Sequence, residues 1–278
     1  MRIKKTNWLT TAIIAFLALG VVIPIYMALN ISLKSPSEMT TNISDFFKLP
    51  KTFQFSNYTE AISVTNFFQS AANSILITVF SVIVVVILTS IISYAIARNM
   101  HKKGYKYVYY YLVSAMFVPF SMLMLPLVKQ LSFLKIDNMF GLIVMYFVFQ
   151  LSLGVLLYVG YLKNITLSLD EAAYMDGANE WQIFWKIIFP LLKPMHATVA
   201  ILTALASWND LLLPLVVLSG NGSTKATLPM AQLIFQSQFG TNYNLAFASY
   251  VLALLPMLIF YLFAQKQIIS GVINGAVK

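Results

Sequence analysis

The chain has 278 residues, of which 59% are hydrophobic and 10% are charged. About a quarter of the residues of a soluble domain are charged, so the composition excludes an ordinary soluble domain and predicts an integral membrane protein. The absence of cysteine excludes disulfides and thiolate metal sites. His101 and His196 are far apart in sequence, and we therefore predict no metal site.

Six apolar segments follow one another along the chain, at about 8–33, 71–97, 107–127, 139–162, 195–218 and 245–264. A membrane-spanning helix needs about 20 apolar residues. The first segment is longer than a signal-peptide core and no small-residue cleavage site follows it, so we predict a retained helix. The predicted fold class is all-α integral membrane, with six transmembrane helices in a single domain over residues 1–278.

The basic residues are distributed unevenly between the two sides of this layout. Twelve of the 18 Lys and Arg residues fall on the side of the termini and of residues 163–194, and six fall on the other side. Because cytoplasmic loops carry the excess of Lys and Arg, both termini and residues 163–194 are predicted to be cytoplasmic, in a protein embedded in the lipid bilayer of the cell membrane. Membrane orientation thus accounts for the net charge of +9, and we predict no nucleic-acid partner.

The second apolar segment carries many polar side chains. Such groups need partners within the protein when they are carried into lipid, so we predict that they are buried against other helices. They are Asn73, Ser74, Thr78, Ser81, Thr89, Ser90 and Ser93.

Residues 163–194 form a polar island between the fourth and fifth apolar segments. Ser168 followed by Glu171 predicts a capping box at the start of a short helix. Gly177 is predicted to end that helix, and Pro190 is predicted to end a second one. The island also carries acids that we expect to border a docking surface: Asp170, Glu171, Asp176 and Glu180.

The second helix of the island, predicted over residues 180–189, has an apolar stripe. Trp181, Phe184, Trp185 and Ile188 recur at spacings of three and four, which puts them on one helix face. Together with the acids, the stripe predicts a surface that docks into a partner. An amphipathic helix that lies in the membrane interface is the alternative.

Asp210 is an ionisable residue inside the fifth apolar segment, directly after Trp208 and Asn209. Because a charge at membrane depth is costly, Asp210 is expected to face a cavity or a partner. A carboxylate and an amide suit the hydroxyls of a sugar, and an indole suits its ring face. In the structural alternative, Asp210 pairs with Asn209 or caps a helix that is broken near Pro214.

Known catalytic and nucleotide-binding motifs are absent from the sequence. Residues 220–225 lack the spacing of a phosphate-binding loop, and there is no H-E-x-x-H motif, nucleophile elbow or pair of carboxylates within the apolar segments. We therefore predict that the chain is not an enzyme. A secondary transporter would need further ionisable groups in its spans or internal repeats, and it is kept as an alternative.

Residues 171–190 resemble the EAA loop of ABC importer permeases. That loop is written EAA-x3-G-x9-I-x-LP, and Glu171-Ala172-Ala173, Gly177, Ile187 and Phe189-Pro190 match it, with Phe189 in place of the usual Leu. Softer matches to the maltose-type carbohydrate permeases, in particular to the shorter of their two paired subunits, lie at Asn73-Ser74, Tyr94 to Arg98, Pro119, Pro126, Trp208-Asn209-Asp210, Thr227-Leu228-Pro229 and residues 265–278.

The resemblance implies a permease subunit of an ATP-driven importer for a sugar or oligosaccharide. A homologous second permease would complete the pore, two copies of an ATP-binding subunit would hydrolyse ATP, and an extracytoplasmic sugar-binding protein would deliver the substrate. The chain itself would bind no cofactor, since ATP and Mg would lie on the ATPase subunits. An importer permease for a non-sugar solute, such as an amino acid, phosphate or a metal, is the alternative.

The resemblance also implies roles for individual residues. Glu171 would be the charged contact to the ATPase, Gly177 the turn and residues 181–188 the apolar ridge, while residues 219–244 would contact the binding protein. The implied coupling residues are Glu171, Ala172, Ala173, Gly177, Trp181, Phe184, Trp185, Ile187, Ile188 and Pro190. The pore or substrate candidates are Asn73, Ser74, Trp208, Asn209 and Asp210.

Overall fold

The computed structural model describes residues 8–39, 43–218, 225–237 and 240–276. Within these ranges most residues are helical, which confirms the prediction of an all-α protein. The helices are α1 Trp8–Ser32, α2 Ser56–Val64, α3 Phe67–Arg98, α4 Lys103–Ser114, α5 Phe120–Leu134, α6 Met139–Leu162, α7 Ser168–Met175, α8 Glu180–Ile183, α9 Phe189–Leu191, α10 Lys193–Asn209, α11 Leu212–Leu218, α12 Leu228–Ala231 and α13 Tyr243–Ala276.

Shorter elements complete the described part of the chain. A π-helical turn, Phe184–Ile188, joins α8 to α9. Single 3-10 turns lie at Pro36–Glu38, Ile43–Phe46, Ala115–Phe117 and Gln232–Phe235, and the two-residue strands β1 Gln236–Ser237 and β2 Gly240–Thr241 pair antiparallel. The basic residues before Trp8, residues 219–224 of the predicted outer loop and the last two residues of the tail lie outside the described residues.

Four helices of the described chain are long and apolar enough to cross a membrane: Trp8–Ser32, Phe67–Arg98, Met139–Leu162 and Tyr243–Phe263. Two bent helix pairs also qualify when each is taken as one span, which raises the count to the six that the sequence predicts. The organisation of residues 1–278 as one transmembrane domain stays a prediction.

The third predicted segment, residues 107–127, is wrong as a continuous helix. Lys103–Phe117 and Phe120–Leu134 meet at an angle of 103°. Pro119 explains the break, because a proline disfavours helical geometry in the residue before it, and Val118 is extended with ψ of 115°. α5 then continues well past the predicted end at residue 127.

The fifth predicted segment, residues 195–218, is also divided. α10 ends at Asn209, and Asp210 has an extended backbone with ψ of 129° before α11 begins. Pro214 lies in the first turn of α11, where its missing N–H leaves no helical hydrogen bond unmade. The other bent pair joins Glu180–Leu191 to Lys193–Asn209 at 75°, so the polar island runs directly into α10.

The polar face of α3 is buried, as the sequence predicts. Its buried positions recur every three or four residues on one side of the helix, and the half-buried Thr78 is the exception among the predicted set. The buried residues are Ser70, Asn73, Ser74, Ile77, Ser81, Val85, Thr89, Ser90, Ser93 and Ile96.

Contacts divide the chain into two units, residues 1–68 with 231–259 and residues 69–230 with 260–278. The second unit contains a core built from α3, α6, the polar island and α10. Its fully buried members include Val85, Tyr158 and Ile188.

In the first unit, Lys34 is buried just after α1 and joins three segments. Its amine donates a hydrogen bond to the carbonyl of Asp45, and its own carbonyl accepts from the side chains of Asn57 and Asn244. Burial lowers the pKa of Lys34, while the neighbouring acids Glu38 and Asp45 oppose that shift.

Gly154 of α6 allows a close approach to α3. A Cβ added at Gly154 would lie 2.6 Å from Cγ2 of Thr89, whereas one added at Gly160 would meet nothing within 4 Å. Thr89 is β-branched and stiff at χ1, so it has little freedom to move away.

We therefore expect Gly154→Ala to destabilise the protein by about 1–3 kcal/mol through overpacking. Gly160→Ala is the matched control in the same helix and should be tolerated. Thermal unfolding of both purified variants in detergent measures the difference. Equal midpoints would contradict the close α3–α6 contact.

Candidate functional site

The predicted capping box at Ser168 is wrong. Leu167 precedes α7 with helical backbone geometry, and its carbonyl accepts from the N–H groups of Asp170 and Glu171. The Ser168 hydroxyl instead donates to the Thr166 hydroxyl. The chain therefore enters α7 already in helical geometry, and no side-chain cap is used.

A capping box is present one helix later. Oδ1 of Asn179 accepts from the N–H of Gln182, and Oε1 of Gln182 accepts from the N–H of Asn179, both at 2.9 Å. The Asn-x-x-Gln spacing is a recognised variant of the capping signature. That signal in the sequence was sufficient to place the start of α8.

Gly177 ends the first helix, as predicted. Its φ is +83°, a left-handed conformation that favours glycine. The N–H of Ala178 bonds the carbonyl of Ala173, and the N–H of Gly177 bonds that of Tyr174, each at 3.0 Å. This is the Schellman arrangement, and it fixes the angle at which α7 and α8 meet.

The predicted helix end at Pro190 is wrong. Helical structure continues through Pro190 to Leu191 because the π-helical turn directly before α9 changes the hydrogen-bond register: the N–H of Phe189 bonds the carbonyl of Phe184. Pro190 then lies in the first turn of α9, where its missing N–H is tolerated. Such π turns occur frequently at functional sites.

The predicted apolar stripe divides into two faces. Phe184 and Ile188 are 2% and 0% exposed and belong to the protein's own core, so the prediction that the whole stripe forms an outward ridge is wrong. Trp181 and Trp185 are 63% and 41% exposed. The π turn and the 75° bend turn the side chains of Phe184 and Ile188 inward. Residue spacing alone predicts neither the π turn nor the bend.

The remaining coupling candidates also separate by exposure. Glu171, Ala172, Gly177 and Pro190 are exposed, Ile187 is half-buried, and Ala173 is buried in the core. We define residues 168–191 as the two-helix segment. We use the name outer face for its exposed residues, which include Glu171, Trp181 and Trp185.

Asp170 does not border that outer face, contrary to the prediction. Oδ2 of Asp170 lies 2.7 Å from Nη2 of Arg98, and Tyr94 donates to its Oδ1 at 2.6 Å. The side chains of Arg98 and Asp170 are 14% and 5% exposed. The end of α3 and the first turn of α7 therefore meet in a buried ion pair, beside a cleft of about 460 Å³ that also reaches Trp181.

The end of the two-helix segment is held by His196. Its Nε2 lies 3.0 Å from the carbonyl oxygen of Phe189 and its Nδ1 lies 2.7 Å from the Tyr158 hydroxyl. The His196 ring also contacts the Phe189 ring at 4.2 Å between centroids. Within the described ranges no three His, Cys, Asp or Glu residues are grouped as a metal site would require.

The pore candidates of α3 contact a loop segment of the protein. Nδ2 of Asn73 donates to the carbonyl of Ala226, and the Ser74 hydroxyl accepts from the N–H of Leu228, both at 2.9 Å. These contacts hold residues 226–228 against α3. A role for Asn73 and Ser74 in a pore stays a prediction.

Asp210 caps α11, which is one of the alternatives that the sequence leaves open. Its Oδ1 accepts from the N–H groups of Leu212 at 3.0 Å and Leu213 at 3.4 Å. Its Oδ2 accepts from the buried Tyr146 hydroxyl at 3.2 Å. The same carboxylate of Asp210 also lines a cavity of about 450 Å³.

Trp208 and Asn209 face different surroundings. Trp208 is buried, whereas Asn209 is exposed and donates to the carbonyl of Leu205 in its own helix. Asn209 lines the cavity beside Asp210, together with Gln150 and the rings of Phe120 and Phe149. The structure therefore brings Asn209 and Asp210, two of the five predicted pore or substrate candidates, to one cavity, and Gln150 is an additional amide that the sequence did not indicate.

The fold and these sites define a multi-pass membrane protein of the permease class. Its buried polar helix faces and its cavity within the apolar helices suit solute passage, and a two-helix segment packed on their core runs directly into one of those helices.

Comparisons with known proteins agree with this class and identify the family. Residues 90–274 match the family model described as "Binding-protein-dependent transport system inner membrane component". The chain therefore belongs to this family, whose members are the membrane components of binding-protein-dependent transport systems.

Two curated relatives match along nearly the whole chain. The "Multiple sugar-binding transport system permease protein MsmG" of Streptococcus mutans is 40% identical over 93% of this chain and 92% of its own length. The "Probable starch degradation products transport system permease protein AmyC" of Thermoanaerobacterium thermosulfurigenes is 38% identical over 100% of this chain and 99% of its own length.

A solved structure has a similar fold. It is a bacterial ABC transporter involved in the import of the acidic polysaccharide alginate, with a TM-score of 0.76 and 25% identity over 96% of this chain and 99% of that one. The predicted membership in the ABC importer permeases is confirmed.

We expect Asp210→Ala to lower the stability of the protein by about 1–3 kcal/mol, because it removes the cap of α11 and leaves the Tyr146 hydroxyl only the longer contact to the Ser207 carbonyl at 3.4 Å. Asp210→Asn keeps an oxygen at the cap and should cost less. Asn209→Ala serves as the control, since its amide bonds a carbonyl of its own helix. Thermal unfolding in detergent measures all three variants, and an unchanged midpoint for Asp210→Ala would contradict the capping role.

Proposed function

We propose that this chain is a permease subunit of an ATP-driven ABC importer for a sugar or oligosaccharide. It forms the pore with a homologous second permease. Two copies of an ATP-binding subunit hydrolyse ATP and hold the ATP and Mg, so that this chain binds no cofactor. An extracytoplasmic sugar-binding protein delivers the substrate. Both chain termini and the two-helix segment lie in the cytoplasm.

The shape of the two-helix segment carries this proposal. Its inner side is anchored in the core by Phe184 and Ile188, while Trp181, Trp185 and the carboxylate of Glu171 are exposed. Large exposed aromatic side chains are typical of a surface that anchors a protein partner. In an ABC importer, the partner on this side is the ATPase.

The connection to α10 supports a mechanical role. Glu180–Leu191 continues into Lys193–Asn209 across a 75° bend, with Leu192 as the intervening residue. When the ATPase pair closes on ATP it moves the two-helix segment, and α10 moves with it. Rigid-body rocking of the membrane helices then switches the pore between inward-facing and outward-facing states.

Sugar as the substrate class rests on two observations. The two relatives described above are named as permeases for starch degradation products and for multiple sugars. The cavity beside Asp210 combines amide groups with the rings of Phe120 and Phe149, a lining that suits hydroxyls and a sugar ring face. A permease for a non-sugar solute is the alternative.

The binding protein is proposed to contact residues 219–244. Parts of that stretch, residues 219–224 and 238–239, lie outside the described residues. Its described start is held to α3 through the bonds from Asn73 and Ser74, which give the loop a fixed base.

We expect the double variant Glu171→Ala with Gly177→Pro to uncouple the importer. It removes the exposed carboxylate and forces a negative φ where the turn needs +83°. In the complex co-expressed with its partner subunits, the stimulation of ATP hydrolysis by the sugar-loaded binding protein should fall about tenfold, within the range of allosteric coupling energies.

Glu60→Ala is the control, since Glu60 is an exposed glutamate of α2 on the predicted extracytoplasmic side of the membrane. It should leave the stimulation unchanged. If the double variant assembles and is stimulated as strongly as the wild-type complex, the two-helix segment is not the coupling element. If a panel of oligosaccharides gives no stimulation but another solute does, the sugar assignment is wrong.

A further inference from the structure

Arg98, the last residue of α3, contacts two parts of the polar island. Its Nη1 donates to the carbonyl of Ile165 at 3.1 Å, in the connection before α7, and its Nη2 lies 2.7 Å from the Asp170 carboxylate in α7. Its guanidinium carbon also lies 5.7 Å from the centre of the Tyr94 ring. One side chain thus reaches the connection and the helix together.

Two hydrogen bonds give this contact its direction, and the ion pair adds attraction between opposite charges. The planar guanidinium donates through Nη1 to the carbonyl of Ile165 while Nη2 faces the Asp170 carboxylate, so the position of the side chain is fixed by the connection before α7. Tyr94, one turn before Arg98, donates to the second oxygen of the same carboxylate. Asp170 is therefore held from two points on α3, and rotation of α7 about its own axis would break at least one of the two contacts.

Stability alone does not account for such a pair. Removing two charges from water carries a penalty that their attraction roughly offsets, and apolar side chains of similar volume often stabilise a protein as well. The charges also suit the helix ends that carry them, because Arg98 lies at the end of α3 and Asp170 in the first turn of α7. The contribution that an apolar contact would not make is a fixed orientation.

α7 has few other anchors. Two of its eight residues are buried, and these are Asp170 and Ala173. The second half of the two-helix segment, by contrast, is anchored by Phe184 and Ile188 in the core and is joined through the chain to α10. The orientation of α7 on the membrane helices therefore depends largely on Asp170.

We propose that Arg98 and Asp170 are positioning residues of the transport cycle: their ion pair holds α7 on the end of α3, so that a displacement of α7 by the ATPase moves α3 as a rigid attachment. The inference rests on the proposed function. It adds a polar connection to α3 to the apolar packing of the two-helix segment and to its covalent connection with α10.

The rigidity of the attachment can be measured without a substrate. The chain has no cysteine, so Leu88→Cys and Met175→Cys place one spin label on the exposed side of α3 and one at the exposed end of α7. In the co-expressed complex with ATP added, the distance between the two labels is measured by electron paramagnetic resonance. The otherwise wild-type chain should give a narrow distribution of that distance. Arg98→Gln and Asp170→Asn should each broaden the distance distribution. Arg98→Lys should give an intermediate width, because lysine keeps the positive charge but lacks the planar guanidinium.

Coupling is measured on the same complexes. Arg98→Gln should lower the ratio of stimulated to basal ATP hydrolysis roughly 3- to 10-fold, the range for residues that carry coupling between sites. Lys106→Gln is the matched control, because it removes a positive charge from an exposed side chain of α4, the next helix after Arg98. A residue with a purely structural role would lower the yield of folded complex without changing this ratio or the label distances.

The outcomes separate the two proposals. If the wild-type chain binds no ATPase, the proposed function fails before the ion pair is tested. If the wild-type complex is stimulated normally and the Arg98 and Asp170 variants keep the same label distances and the same ratio, the positioning role is wrong while the importer remains.

Discussion

The burial of Phe184 and Ile188 in the protein's own core is the constraint on which the rest of the account depends. It fixes the second half of the two-helix segment to the membrane helices and decides which side chains a partner can reach. An amphipathic helix lying freely in the membrane interface would leave those two residues in lipid. Here they serve as anchors, and Trp181 and Trp185 on the same helix are left for an external contact.

The two halves of the segment are attached by different kinds of interaction. α7 is held by the ion pair of Asp170 with Arg98 and by the hydrogen bond from Tyr94, whereas the second half ends in the contact of Phe189 with His196 and continues into α10. The Schellman turn at Gly177 keeps a fixed angle between the halves. A force applied to the outer face therefore reaches α3 and α10 together, which is what alternating access by rigid-body motion requires.

Sequence reasoning predicted the features that depend on local pattern and failed where tertiary contacts decide. Apolar length located the spans, and glycine chemistry located the turn at Gly177. The breaks at Pro119 and Asp210 lie inside continuous apolar runs, where hydropathy carries no signal for a bend and only the local prolines, Pro119 and Pro214, indicate one. The inward rotation of Phe184 follows from the π turn, and the burial of Asp170 follows from Arg98, which is 72 positions away in the sequence. The spacing of residues within one helix predicts neither the rotation of Phe184 nor the burial of Asp170.

The most direct test of the account is site-specific photocrosslinking in the co-expressed complex. A benzophenone amino acid at Trp181, on the outer face of the two-helix segment, should crosslink to the ATP-binding subunit. The same probe at Phe133 should not crosslink to that subunit. Phe133 is an aromatic residue of α5 that is 86% exposed and lies on the predicted extracytoplasmic side of the membrane. Crosslinking of the ATP-binding subunit from position 133, or its absence from position 181 in an assembled complex, would contradict the assignment of the two-helix segment as the coupling surface.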